Sequence, residues 1–140
     1  MKSNIRRAAH ADVPRIMEIR HAVRENRLSD PNSVTASDCC AFIDRAEIWL
    51  WVDDDLIQGF AAGDPQDGSI FALFVDPAHE GRGIGRALIA RACDTLRAGG
   101  FVAATLSTDP GTRAERFYRT NGWIEVGQNG KGEIVFQRQL

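Results

Sequence analysis

Hydrophobic positions change period several times along the chain, and each change marks an element. Residues 4–8 form a short strand-like run. From about residue 11 to residue 24, Val13, Ile16, Met17, Ile19 and Val23 recur at helical spacing, with Pro14 where a first turn tolerates it. A second helix is predicted after Thr35, which pairs with Asp38 as a capping-box-like start and turns Cys39, Phe42 and Ile43 inward. The pattern then alternates: Ile48, Leu50 and Val52 share one face, while Glu47, Trp49 and Trp51 share the other. Asp53-Asp54-Asp55 makes a turn, residues 56–62 return as a strand, and residues 63–68 turn again. In residues 69–75 both faces are apolar, Phe71, Leu73 and Val75 on one and Ile70, Ala72 and Phe74 on the other. That is the pattern of a central strand covered on both sides.

Pro77 ends this strand, and helical spacing resumes at Gly83. Ile84, Leu88, Ile89, Ala92, Cys93 and Leu96 make the predicted inner stripe, and Gly99-Gly100 stops the helix. Residues 101–107 read as a strand that should run parallel to 69–75, because a helix separates the two. Asp109 is expected to cap a last helix with Pro110 in its first position and Ala114, Phe117 and Tyr118 inward. Residues 123–126 and 132–138 supply two closing strands. The predicted order is β-α-α-β-β-β-α-β-α-β-β, a mixed α/β sheet with helices on both faces, in one domain spanning residues 1–140.

Composition narrows the function classes. The 140 residues are 44% hydrophobic and 26% charged, with a formal net charge of −2. That balance argues against a general nucleic-acid binder. No stretch reaches the length of a membrane span, and the first residues lack the apolar run of a signal peptide, so a cytoplasmic location is expected. Cys39, Cys40 and Cys93 are an odd set with no C-x-x-C spacing, which favours reduced thiols over a disulfide or zinc framework. The histidines lack metal-ligand spacing, and the three aspartates lack the spacing of a calcium loop, so no metal is expected. Residues 25–34 are polar and turn-rich, either a solvated connector or a substrate-binding loop.

The candidate chemistry lies between the central strand and the helix after it. Gly81-Arg82-Gly83-Ile84-Gly85 removes side chains where a helix begins. A helix start leaves about four backbone N–H groups without intrahelical partners and carries roughly half a positive charge. A phosphate or pyrophosphate suits that place; the alternative is a glycine-rich turn satisfied by water. Two familiar phosphate loops are excluded by spelling. Gly85 is followed by Arg86-Ala87 and not by Lys-Ser/Thr, and neither Gly81 nor Gly83 opens a G-x-G-x-x-G/A run.

Leu73-Phe74-Val75-Asp76-Pro77 followed by Glu80-Gly81-Arg82-Gly83-Ile84-Gly85-Arg86-Ala87-Leu88 closely resembles the acyl-CoA loop of the Gcn5-related N-acetyltransferases, the GNAT superfamily. Its signature is Q/R-x-x-G-x-G/A, and Glu80 stands where the Gln or Arg is usual. The run from Thr112 to Trp123 looks like the superfamily's second signature, A-x-x-F-Y-x-x-x-G-F/W, with Gly111 in place of an asparagine often found there.

The resemblance covers nearly the whole chain and implies an N-acetyltransferase that uses acetyl-CoA without a metal. It implies that the backbone of Leu73, Phe74 and Val75 pairs with the pantetheine amides, and that the amides of residues 81–86 hold the pyrophosphate, Arg82, Ile84 and Arg86 included. Thr108 and Phe117 complete the implied cofactor contacts, and Tyr118 takes the place of the general acid. For the base, Glu25, Asp30, Glu47 and Asp76 are candidates, and no local spacing selects among them. The expected partner is a small-molecule or peptide amine, with no nucleic acid and no membrane, and a homodimer is left open. The alternative is a non-catalytic acyl-CoA-binding sensor or interaction module of the same fold.

Overall fold

The computed structural model describes residues 3–23 and 34–140. One sheet of seven strands runs in the order β1-β2-β3-β4-β5-β7-β6. Its strands are β1 (Ser3–Arg7), β2 (Trp49–Asp53), β3 (Leu56–Asp64), β4 (Ser69–Val75), β5 (Ala103–Thr108), β6 (Ile124–Gln128) and β7 (Ile134–Gln139). The helices are α1 (Val13–Ala22), α2 (Ala36–Arg45), α3 (Ile84–Ala98) and α4 (Arg113–Thr120). Their order along the chain is the one read from the sequence. Among the described residues no helix is long and apolar enough to cross a membrane.

The helices form where local chemistry favours them. Thr35 Oγ1 accepts from the Asp38 N–H at 3.1 Å, and Asp38 Oδ2 accepts from the Thr35 N–H at 2.9 Å, closing the capping box of α2. In α3 the buried residues are the six of the predicted stripe. α1 and α2 cover one face of the sheet, where Ile16, Ile19 and Phe42 pack with Leu50 and Phe60. α3 and α4 cover the other, where Ile89, Leu96 and Tyr118 pack with Leu106 and Phe136.

β4 departs from simple alternation. Its register with β3 runs Ala62↔Ala72 and then Gly63↔Ile70, so Phe71 is the extra residue of a β-bulge. The bulge reverses the parity on its N-terminal side. Ile70 packs with Leu73 and Val75 toward α3 and α4, while Phe71 joins Ala72 and Phe74 toward α1 and α2. The Phe71 ring stacks on Phe42, centroids 4.2 Å apart. This corrects the two faces expected for the strand.

The start of α4 is a second correction. Thr112, not Asp109, is the cap, its Oγ1 accepting from the Glu115 N–H at 3.2 Å, and the helix begins at Arg113. Asp109 stays buried at the end of β5, and β5 itself begins at Ala103. Between β2 and β3, Asp54 and Asp55 have φ of 49° and 67°. That left-handed pair makes the hairpin turn, a conformation that aspartate tolerates.

The pairing that positions the site is the weakest in the sheet. β4 and β5 run parallel and register at a single position, Ser69↔Thr105. Beyond it the strands part toward their carboxyl ends, and the β5-facing flank of β4 is left without a ladder.

Candidate active site

A cleft of about 730 Å³ opens where β4 and β5 separate. Leu73, Phe74 and Val75 of β4 form one wall, and Ala114, Phe117, Tyr118 and Asn121 of α4 form the opposite one. Gly81, Gly83, Ile84, Gly85 and Arg86 make its floor at the start of α3, and Ala22 and Val23 at the end of α1 reach its rim.

The floor is built from backbone. Gly83 precedes the first residue of α3 with φ of 79° and offers no side-chain hydrogen bond to the first turn. The amides of that turn are therefore left for a ligand. Gly81 also has φ of 79°, and an added Cβ at either glycine would meet nothing within 4 Å. Backbone conformation, not crowding, is what calls for glycine at these two positions.

Polar contacts tie this floor to α4. Arg86 Nε donates to Asn121 Oδ1 at 3.1 Å, and Asn121 Nδ2 donates to the Phe117 carbonyl at 2.8 Å. Glu80 forms an ion pair with Arg113. Both residues line the cleft, so the acid at the unusual position of the loop is matched by a base at the start of α4. Arg82 turns away from the cleft, its Nη2 lying 3.3 Å from Asp53 Oδ2.

The Glu80 carboxylate still adds a negative field at a place suited to phosphates. Glu80→Gln is expected to tighten acetyl-CoA binding about two- to tenfold at low salt, with the gain shrinking as ionic strength rises. Titration calorimetry at two salt concentrations measures this. Equal affinities at both would show that the carboxylate exerts no field at the ligand.

Tyr118 is 7% exposed and lines the cleft from α4. Its ring meets Phe117 and Trp123 edge-on, with centroids 5.4 and 5.8 Å away. Burial raises its pKa well above that of an ordinary phenol, so the hydroxyl stays protonated at neutral pH.

The predicted bases fall in different places. Glu47 pairs with Arg7 and accepts from Thr95 Oγ1 at 3.2 Å. Thr95 lies about 16 Å along α3 from its start, at 1.5 Å per residue, so Glu47 is far from the floor of the cleft. Asp76 sits between Val75 and Pro77, both cleft residues, but its carboxylate is engaged. Oδ1 accepts from the Ala78 N–H at 3.0 Å, and Oδ2 from Arg15 Nη2 at 2.7 Å. Burial pushes its pKa up, yet the Ala78 and Arg15 hydrogen bonds and the charges of Arg15 and His79 outweigh that and leave it lowered. Glu25 and Asp30 lie outside the described residues. Thr108 is buried at the end of β5 and is not among the residues that line the cleft.

Sequence reasoning missed Arg113, Asn121 and the α1 terminus. Arg113 and Asn121 flank the Phe117-Tyr118 pair within the second signature, but only the fold shows what they face. Nothing in the sequence marks Ala22 and Val23.

An open mixed sheet that parts over an uncapped helix start defines a class of α/β protein, one that takes an elongated ligand at the carboxyl ends of its central strands. Residues 13–123 match the sequence model of the Acetyltransferase (GNAT) family, and the chain belongs to that family. It is 35% identical over 91 residues to a mycothiol acetyltransferase of Beutenbergia cavernae, an alignment that covers 61% of this chain and 31% of that protein. The chain thus matches about a third of the length of that relative. The fold is also that of PaiA N-acetyltransferase from Thermoplasma acidophilum in complex with coenzyme A, with a TM-score of 0.84 at 16% identity over 100% of both chains. YncA, a putative acetyltransferase from Salmonella typhimurium with its cofactor acetyl-CoA, superposes with a TM-score of 0.74 at 22% identity, covering 100% of this chain and 94% of that one.

Proposed function

We propose that the protein transfers an acetyl group from acetyl-CoA to a primary amine by direct attack in a ternary complex. The observation that carries this reading is the loss of the β4–β5 ladder beyond Ser69, directly in front of the uncapped start of α3. An extended pantetheine arm pairs with the free flank of β4 at Leu73, Phe74 and Val75. The pyrophosphate sits on the amides from Gly81 to Arg86, where the helix start favours negative charge. Both GNAT structures compared above contain coenzyme A or acetyl-CoA, which supports the same ligand here.

In the transfer step the amine nitrogen attacks the thioester carbonyl, a C–N bond forms, and the C–S bond breaks. The departing thiolate takes a proton from Tyr118, which burial keeps protonated, and the phenolate is restored by the second proton that the nitrogen loses as the amide forms. The amine loses its own proton before attack, which at pH 7 costs roughly 4–5 kcal/mol for an unperturbed amine. Among the described residues Asp76 is the base candidate nearest the cleft, and its lowered pKa makes it a weak one. Orientation of amine against thioester can supply up to about 7–11 kcal/mol of the barrier.

The test is release of free thiol from acetyl-CoA across a panel of amino acids, polyamines, aminoglycosides and peptides. Acetylated product from one class, with acetyl-CoA also raising the melting temperature, is the expected result. Acetyl-CoA binding with no turnover on any amine would replace this reading with a sensor, and absence of binding would remove it.

A further inference from the structure

Arg20 is a half-buried cation, two of its guanidinium nitrogens fully enclosed, for which the chain supplies no anion among its described residues. It lies near the end of α1, three residues before Val23 and so on the same side of the helix. Its Nε and Nη1 are buried and have no hydrogen-bond partner among the described residues. The guanidinium lies over the ring of Phe74, 4.7 Å from its centroid. Phe74 and Val23 both line the cleft, so Arg20 stands where α1 meets the β4 wall.

The neighbouring charges do not explain it. On the same helix Arg15 is matched by Glu18 and Asp76. The group facing Arg20 from α2 is Cys39, and burial raises that thiol's pKa, so it offers no thiolate at neutral pH. Desolvation lowers the Arg20 pKa, with only a partial offset from Cys39. Enclosing two guanidinium nitrogens without a partner costs folding free energy, and part of that cost is recovered when an anion arrives. The loop amides at the start of α3 take the anionic end of acetyl-CoA, whereas Arg20 flanks the cleft from the opposite face of the sheet.

We infer that Arg20 recognises a carboxylate on the acceptor, so that the amine acetylated by this protein belongs to an amino acid. The planar guanidinium accepts a carboxylate in a two-pronged geometry and is pre-organised by its stack on Phe74. This rests on the transferase reading above for the identity of the reaction. It adds the class of acceptor and the residue that selects it.

The experiment compares free amino acids and their N-acetylated products, each beside its carboxamide, in the CoA-loaded protein and in Arg20→Met and Arg20→Lys. In the parent, acids are expected to bind about 10- to 100-fold more tightly than carboxamides. Arg20→Met erases that preference, and Arg20→Lys keeps part of it by retaining the charge. Without ligand, Arg20→Met melts at the parent temperature or above it, because it removes a half-buried charge whose enclosed nitrogens have no partner.

Equal binding of acids and carboxamides in the parent, or a preference that survives in Arg20→Met, overturns the inference. So does a loss of several degrees in Arg20→Met, which would show that the guanidinium has its partner within the chain. Failure of the transferase reading registers separately as no thiol release with any amine, while the binding arm still decides the role of Arg20.

Discussion

Tyr118→Phe is expected to lower acetyl transfer by roughly 10²- to 10⁴-fold while leaving acetyl-CoA affinity and the melting temperature close to those of the parent. The substitution keeps the ring that packs edge-on against Phe117 and Trp123 and against Phe136, so the core on that side of the sheet retains its shape. Only the hydroxyl at the cleft is removed. Because burial raises the phenol pKa, no fall in rate below about pH 10 belongs to ionisation of this group. The measurement is single-turnover transfer, where chemistry and not product release sets the rate. Turnover within tenfold of the parent would remove the proton-donor role. A lowered melting temperature with normal specific activity would show Tyr118 to be a packing residue.

The elements that the sequence disclosed are those whose signal is local. The stripe of α3 is visible because six apolar residues recur at helical spacing between two glycine signals. The capping box at Thr35 and Asp38 is likewise contained within four residues. The bulge at Phe71 was hidden because both faces of β4 are apolar, so shifting the register by one residue leaves no polar residue misplaced. Asp109 and Thr112 are both acceptable caps in a Pro-Gly context. The choice between them is made by burial of Asp109 at the end of β5, which no local rule contains.

The site divides in the same way. The glycine run and the Phe117-Tyr118 pair were legible as motifs, and the structure sets most of those residues around one cleft. Arg82 and Thr108 fell outside it because side-chain direction depends on partners. Asp53 draws the Arg82 side chain away, and Thr108 is buried at the end of β5. The pairing of Glu80 with Arg113 joins residues 33 positions apart in sequence, and the unpartnered guanidinium of Arg20 is a property of packing alone. Spacing arguments do not reach either.

Gly83 supplies the other large effect. It holds φ of 79° at the entry to α3, and a side chain there would extend into open space above the floor of the cleft. Asparagine and aspartate tolerate that conformation better than other side-chained residues, so Gly83→Asn and Gly83→Asp are both expected to fold. The pair is nearly isosteric and carries the same backbone strain. Any difference between them is therefore the work of one negative charge at the place assigned to the pyrophosphate. Gly83→Asp is expected to bind acetyl-CoA roughly 10- to 100-fold more weakly than Gly83→Asn, with the gap narrowing as salt rises from low to physiological strength. Direct binding measurements on the two variants, with melting temperatures as the folding control, give the answer. Equal affinity in two folded variants would place the phosphates elsewhere and leave the uncapped amides of α3 to water.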